Sequence, residues 1–278
     1  MAKARGPRDD GVMGETSHQK QPIKFSADYL RGAANRPEIQ SLKRSSYEFM
    51  QVGPGSSAID IGCGPGIDTI ELAKRIGPGG QVVGIDTDSE MIVAANAAAA
   101  ESGVEGWTRH YLGSSLSLPF DDGTFDACRC ERVLQHLSQR DGLRTISEAR
   151  RVLRPGGILV FVDTDWATLS IHSRDQKLER SLAQLRLSTL RNAFAARSIK
   201  ELFLNQNIEV IHAGISPVTL TVERIKLLFG GICEREIAAG RMRQQQWEAW
   251  LSALEEFEER GALVASLCMI TCSGRVAQ

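Results

Sequence analysis

Apolar positions follow two different periods along this chain. Short runs such as Ala58-Ile59-Asp60-Ile61 and Gln81-Val82-Val83-Gly84-Ile85-Asp86 end abruptly in an acid or a glycine. Between them, apolar side chains recur every three or four residues. The first kind of run predicts buried strands and the second amphipathic helices. Ile70, Leu72, Ala73 and Ile76 form one such helical face, which Gly77-Pro78-Gly79-Gly80 ends. Asp88 caps the next helix, which runs through Met91 and an alanine run to Ala100, and Ser102-Gly103 closes it. Trp107 to Leu112 and Phe125 to Cys130 predict a third and a fourth strand. Ser138 and Asp141 open a helix carrying Ile146, Ala149, Val152 and Leu153. Pro155-Gly156-Gly157 then turns into Ile158 to Val162, apolar throughout like a central parallel strand. Strands and helices alternating in this way predict an α/β, doubly wound sheet with its ligand at the carboxyl ends of the strands.

The pattern changes at both ends. Residues 25–52 carry Tyr29, Leu30, Ile39, Leu42, Tyr47, Phe49 and Met50 at helical spacing and predict a helical cap segment. Residues 1–24 are polar and charged and read as a disordered tail, without the apolar core of a signal peptide. Beyond Trp166 come helical stretches at roughly 175–205, 221–240 and 244–260, with strands at 208–220 and 262–272. The expected finish is a strand hairpin that closes the sheet, interrupted by a helical lid at about 221–260. Residues 53–278 then form one ligand-binding domain. Ile225, Leu228, Phe229, Trp247 and Trp250 give the lid an apolar face that suits a hydrophobic acceptor pocket, although such spacing also suits plain core.

The stretch from Ala58 to Gly66 carries the most chemistry. An apolar strand with Asp60 breaks into Gly62-Cys63-Gly64-Pro65-Gly66, glycines that permit positive φ and let a ligand approach the backbone. The spacing is G-x-G-x-G and lacks the last glycine of the dinucleotide fingerprint. A carboxylate before the glycines suits a cationic amine or hydroxyls better than a pyrophosphate. About 20 residues beyond Gly66, Asp86 ends the second strand where a ribose diol is held. Together these features select a nucleoside with an amino-acid tail.

With Leu118-Pro119-Phe120, Phe125-Asp126-Ala127 and Leu153-Arg154-Pro155-Gly156-Gly157 in order behind them, these motifs resemble the class I S-adenosylmethionine (SAM) dependent methyltransferases. The nearest flavour is the ubiquinone/menaquinone-biosynthesis group, which also contains natural-product enzymes. The resemblance is strong over residues 25–165. It implies a Rossmann-like, mostly parallel seven-stranded sheet with an antiparallel last strand. It also implies SAM as cofactor, with S-adenosylhomocysteine as product. The cofactor contacts it implies are Tyr29, Asp60, Gly62, Cys63, Gly64, Gly66, Asp86, Thr87, Met91, Ser114, Ser115, Cys130 and Glu131. Gly113-Ser114-Ser115 departs from the family, whose small-Asp pair meets the adenine amine.

His136, after the fourth strand, and Asp165, just past the end of the fifth, are the candidate catalytic bases. Arg132, Trp166 and Phe229 are expected to contact the acceptor. The implied activity is methyl transfer to a small, fairly hydrophobic metabolite, quinone-like or of natural-product type. Alternatives are a SAM enzyme that couples methylation to cyclisation or rearrangement, and a SAM-binding interaction protein without turnover.

Composition narrows the field only slightly. Among 278 residues, 33 basic side chains face 34 acidic ones, so no nucleic-acid footprint is visible. No apolar run reaches the ~18 residues of a membrane span. The six cysteines show no CxxC and no paired histidines, so no metal is expected and the thiols read as reduced core residues of a cytoplasmic protein. A homodimer is left open.

Overall fold

The computed structural model describes residues 26–277; the tail expected at 1–24 lies outside the described residues. A seven-stranded sheet runs in the order β3-β2-β1-β4-β5-β7-β6. Its left half is built from β1 (Ser57–Ile61), β2 (Gln81–Asp86), β3 (Thr108–Leu112) and β4 (Phe125–Glu131), all parallel. β5 (Leu153–Ile171) continues parallel to β4, and β7 (Ala265–Val276) runs antiparallel between β5 and β6 (Ile208–Thr219). The chain reverses direction between β1 and β4, where the sheet splays and a ligand crevice forms.

Helices cover both faces. α3 (Ile67–Ile76), α4 (Ser89–Glu101) and α5 (Gln139–Val152) are the crossovers of the parallel half. α1 (Ala27–Ala34) and α2 (Pro37–Phe49) precede β1, with Ser26 capping α1 through the Tyr29 amide at 3.2 Å. The long helix expected at 175–205 is two helices, α6 (Gln176–Thr189) and α7 (Ala195–Asn205), because the chain turns extended at Leu190. α8 (Val222–Ala238) and α9 (Gln244–Glu259) fill the connection between β6 and β7, where the lid was expected.

Two apolar layers result. Ile59, Ile61, Val83, Cys128, Leu159 and Phe161 pack on one face against Ile146, Ile199 and Phe203. Ala58, Val82, Val160 and Val162 pack on the other, in a cluster that continues through Trp166, Leu182, Phe229, Trp247 and Trp250. The second cluster unites the central sheet with the C-terminal helices, which are therefore part of the domain core. Each large side chain buried there stabilises the fold by roughly 1.5–3 kcal/mol.

The fifth strand departs from expectation. It does not stop at Val162, because β7 continues to pair with it: Val162 faces Thr271, Asp163 faces Ile270 and Asp165 faces Cys268. Asp163, Thr164, Asp165 and Trp166 therefore lie within the strand, not in a loop past its end.

Candidate active site

A cavity of about 440 Å³ opens at the carboxyl ends of β1, β2 and β4. Its lining includes Gly62, Cys63, Gly64, Asp86, Thr87, Met91, Ser114, Ser115, Glu131, Arg132 and His136. Leu30, Lys43, Asp68, Asp88, Leu116 and Gln135 complete much of the remainder.

The glycine loop is shaped by close approaches. Gly62 has φ +74°, and a Cβ there would meet Val133 Cγ2 at 2.3 Å. Gly66 has φ +82° and packs so closely on α4 that a Cβ would lie 3.0 Å from Ala95. Gly64 differs: at φ +51° its added Cβ would find only Leu30 Cδ1, at 3.7 Å. Gly62 and Gly66 thus serve packing, whereas Gly64 leaves its backbone open to the cavity. The Gly64 N–H donates to Asp86 Oδ2 at 2.8 Å, and the Asp88 N–H donates to Asp86 Oδ1 at 3.0 Å. These bonds hold the loop against the end of β2 while each carboxylate oxygen keeps a lone pair for a ligand hydroxyl.

Beneath the loop lies a dense ionic lattice. Lys43, on the buried face of α2, places Nζ 2.8 and 2.7 Å from the two oxygens of Asp68 and 3.2 Å from Glu131 Oε2. Arg129, fully buried in β4, reaches Asp68 at 3.1 Å and also pairs with Glu131, while Arg132 reaches Glu131 at 3.2 Å. The Tyr47 hydroxyl donates to Asp68 at 2.5 Å. Burial alone would raise the two carboxyls. The cations outweigh it, Arg129 then Lys43 at Asp68 and Lys43 then Arg129 at Glu131, so both acids lie below the usual carboxylate range.

Asp60 behaves in the opposite way. Neither of its oxygens accepts a hydrogen bond, and Arg129 is 3.6 Å away. Burial dominates and pushes its carboxyl up to about 8. Asp60 and Cys130 sit in the floor and do not line the cavity. Gly66 is likewise behind the lining, at the start of α3.

His136 belongs to a single 3-10 turn, Leu134–His136, directly after β4. Asp163 Oδ2 accepts the Gln135 N–H at 3.2 Å and secures this turn. The Gln135 amide donates to His136 Nε2 at 3.2 Å, and its oxygen accepts the Trp166 indole N–H at 2.5 Å. Burial first, then the charges of Arg186 and Arg132, hold the His136 imidazole below the ordinary histidine range. It is therefore neutral near pH 7 and able to accept a proton. Arg132 has φ +57°, an uncommon conformation for a non-glycine residue, at the point where the chain leaves β4 for the site.

Besides Asp60, Cys130 and Gly66, four more expected positions need correction. Asp165 does not face the cavity; its Oδ2 pairs with Arg197 Nε at 2.8 Å on the α7 side of the sheet. Trp166 is buried, bonded to Gln135 and covered by the Arg186 guanidinium 4.2 Å from its ring centroid. Phe229 is fully buried and packs edge-on against Trp250, so it is core rather than cavity wall. Tyr29 is also outside the lining: its neighbour Leu30 faces the glycine loop, and Tyr29 lies within electrostatic reach of Arg186 and Arg224.

The reading from sequence missed Lys43, Asp68 and Gln135. Lys43 falls on the same helical stripe as Ile39, Leu42, Ser46 and Tyr47, and a lysine on a buried stripe was the available signal. Arg129 between the buried Cys128 and Cys130 of β4 was a second one.

A switch-point cavity, a G-x-G-x-G loop and an acid at the end of β2 define the Rossmann-like methyltransferase class. A family model described as a methyltransferase domain matches residues 58–157. The chain is 34% identical over 243 residues to an uncharacterized 37.1 kDa protein in transposon TN4556 of Streptomyces fradiae, covering 84% of this chain and 67% of that one. It is 32% identical over 149 residues to the demethylmenaquinone methyltransferase of Bacillus cytotoxicus, covering 54% of this chain and 62% of the relative. Geranyl diphosphate C-methyltransferase of Streptomyces coelicolor A3(2), solved with Mg²⁺, geranyl diphosphate and S-adenosylhomocysteine, shares the fold at 17% identity. Its TM-score is 0.57, over 98% of this chain and 90% of that one. The chain belongs to the class I SAM-dependent methyltransferases. Among the described residues, no helix is long and apolar enough to cross a membrane, and no group of His, Cys, Asp or Glu is arranged to hold a metal.

Proposed function

We propose that the protein transfers a methyl group from SAM to a small-molecule acceptor. The observation that carries this reading is the cavity itself. The open Gly64 backbone, the Asp86 carboxylate and the neutral His136 border one space of about 440 Å³. The residues fit the cofactor. Asp86 would take the ribose hydroxyls, and Ser114, Ser115 and Leu116 would border the adenine. The glycine loop, with Asp68 and Glu131 beneath it, would meet the amino-acid tail.

When bound, SAM supplies an activated methyl group on a sulfonium, so the protein's task is alignment, an effect worth up to ~7–11 kcal/mol. Arg132 and Gln135 shape the side of the cavity next to His136. His136 is the group placed to take a proton from an acceptor hydroxyl, amine or acidic carbon, for about 10²–10⁴-fold in rate. A quinone-like or natural-product acceptor of fairly apolar character is consistent with the relatives named above. The test is a screen of acceptors with SAM that reads mass gain and S-adenosylhomocysteine release together. Tight S-adenosylhomocysteine binding without methylated product from any acceptor would favour a SAM-binding protein without turnover.

A further inference from the structure

The Gln135 side chain ties Trp166 to His136, and its orientation is fixed from two sides. The Trp166 indole N–H, a donor only, lies 2.5 Å from Gln135 Oε1. The Arg132 carbonyl, an acceptor only, lies 3.1 Å from Gln135 Nε2. Turning the amide over would set its NH₂ group against the indole N–H and its oxygen against a carbonyl, so one orientation survives. The residue is also held in place. Gln135 and Trp166 are both buried, and the Arg186 guanidinium covers the indole. The Gln135 backbone N–H donates to Asp163 Oδ2 at 3.2 Å, and its carbonyl accepts the Asn192 N–H at 3.1 Å.

That orientation decides where the His136 proton sits. The second hydrogen of the Gln135 amide is donated to His136 Nε2, 3.2 Å away. A neutral imidazole carries one N–H and one lone pair, so Nε2 holds the lone pair and Nδ1 the hydrogen. Among the described residues, Gln135 is the only hydrogen-bond partner of the His136 ring. His136 is exposed at the cavity that Gln135 also lines, with part of its ring still desolvated. The imidazole is therefore free to turn outward from a Gln135 that stays put. At 3.2 Å their contact is at the long end of the hydrogen-bond range, and an incoming group can open it.

We infer that Trp166 and Gln135 hold His136 as its Nδ1–H tautomer, and that the contact between the Gln135 amide and His136 Nε2 opens to receive a hydroxyl of the acceptor. This rests on the methyl-transfer reading of the cavity and narrows the acceptor to an alcohol or a phenol methylated on oxygen. The hydroxyl oxygen takes the Gln135 N–H, and the hydroxyl hydrogen is donated to His136 Nε2. A C–H carbon has no lone pair for the Gln135 end and an ammonium has none either, whereas a hydroxyl satisfies both ends.

In the proton transfer the O–H bond breaks, its proton goes to His136 Nε2 and its electron pair stays on the oxygen. An oxygen pair forms the bond to the methyl carbon, and the pair of the broken carbon–sulfur bond stays with sulfur. The imidazolium then gives its proton to solvent, to which His136 is open. Gln135 touches the acceptor in this arrangement. Trp166 acts only through Gln135 and is a positioning residue: without its N–H the amide could turn, present Oε1 to the ring and draw the hydrogen onto Nε2, where no lone pair would remain for the acceptor.

The experiment uses the full chain saturated with S-adenosylhomocysteine and labelled with ¹⁵N in its histidine rings. Proton–nitrogen correlation spectra read the tautomer, and His136→Ala assigns the signal among the five histidines. The wild type should show the Nδ1–H form at a mildly alkaline pH, where the ring is neutral. Phenol is then titrated against anisole, which keeps the ring and lacks the O–H; phenol should move the His136 Nε2 resonance and anisole should not. Trp166→Phe keeps a ring under Arg186 and removes the N–H, while Gln135→Glu offers His136 only acceptor oxygens. Each should populate the Nε2–H form and weaken phenol about tenfold, the loss of roughly one hydrogen bond, with S-adenosylhomocysteine affinity within twofold. Should Gln135→Glu fail to fold, Gln135→Met, which has no amide, should likewise lose the Nδ1–H preference and the phenol response. An Nε2–H form in the wild type, an unchanged tautomer in the variants, or equal responses to phenol and anisole, including none to either, overturns the proposal. Failure of the wild type to bind S-adenosylhomocysteine would instead strike the methyl-transfer reading.

Discussion

Asp86 accepts the Gly64 amide at 2.8 Å, so the carboxylate proposed to hold the ribose also fastens the loop that would cradle the rest of the cofactor. The two roles can be separated. Asp86→Ala is expected to weaken S-adenosylhomocysteine by about 1–3 kcal/mol, the usual loss for a charged hydrogen-bond partner. Part of that loss should persist with a 2′,3′-dideoxy analogue, because the loop is untied whichever ligand is offered. Calorimetry with both ligands measures the split. Equal losses would leave Asp86 a purely structural role, and no loss with either would remove it from the site.

Gly62 and Gly64 should respond differently to the same substitution. Gly62→Ala drives a methyl into Val133 at a strained φ and should destabilise the fold by about 1–3 kcal/mol. Gly64→Ala has room beside Leu30, so only its positive φ opposes it, at about 1 kcal/mol, while cofactor affinity falls. Urea unfolding and S-adenosylhomocysteine titration of both variants check the pattern. It fails if Gly64→Ala is the less stable of the two.

His136 and Asp165 no longer stand as equal candidates for the base. His136→Ala is expected to lower kcat by about 10²-fold or more for an acceptor that must lose a proton, with cofactor affinity retained. Its depressed pKa keeps the imidazole neutral further into acid, so kcat should hold below the pH at which an ordinary histidine protonates. Asp165→Asn breaks the contact to Arg197 and should act on stability, with kcat within a few-fold of wild type. Profiles of kcat from pH 5 to 9 for both variants decide. A His136→Ala enzyme with wild-type rate and pH dependence would show that alignment alone suffices.

Acid should weaken the fold through His110. Its ring lies between Thr69 Oγ1 at 2.8 Å and Asn96 Oδ1 at 3.0 Å, and burial pushes it down to about 4. In the unfolded chain the group titrates near 6.5. Between those values the unfolded state binds more protons than the native one, so stability falls as pH drops from about 6.5 to 4. The full contribution is on the order of 3 kcal/mol. Asp60, pushed up to about 8, works in the other direction and is relieved by acid over the same range. Urea denaturation at pH 7 and pH 4.5 should show a smaller acid loss for His110→Gln than for wild type. An identical loss would place the acid sensitivity elsewhere.

The parallel half of the sheet was legible because its signals are local. A strand, a glycine loop and a capped helix each announce themselves within ten residues or so, and the order of motifs fixes how they stack. The end of β5 was not legible. Asp163-Thr164-Asp165 reads as polar loop, yet it pairs with Ile270, Met269 and Cys268 from the far end of the chain. One oxygen of Asp163 accepts the Gln135 N–H and one of Asp165 meets Arg197, both partners from elsewhere in the fold. Phe229 shows a different limit: helical spacing identifies a buried face but cannot say whether a core or a ligand covers it. Lys43 and Arg129 were visible as misplaced charges, but only their convergence on Asp68 and Glu131 gives them a purpose.

Lys43 has a consequence for how this protein can be cut and recombined. Through it, the segment before β1 is an electrostatic keystone of the cavity floor and not a detachable cover. A chimera that took its N-terminal helices from a relative without this lysine would inherit a floor with Asp68 and Glu131 short of a counter-charge, and would forfeit folding stability before any question of substrate arose. Boundaries for domain grafting in this chain therefore belong upstream of α2, even though the nucleotide-binding motifs begin well downstream of it.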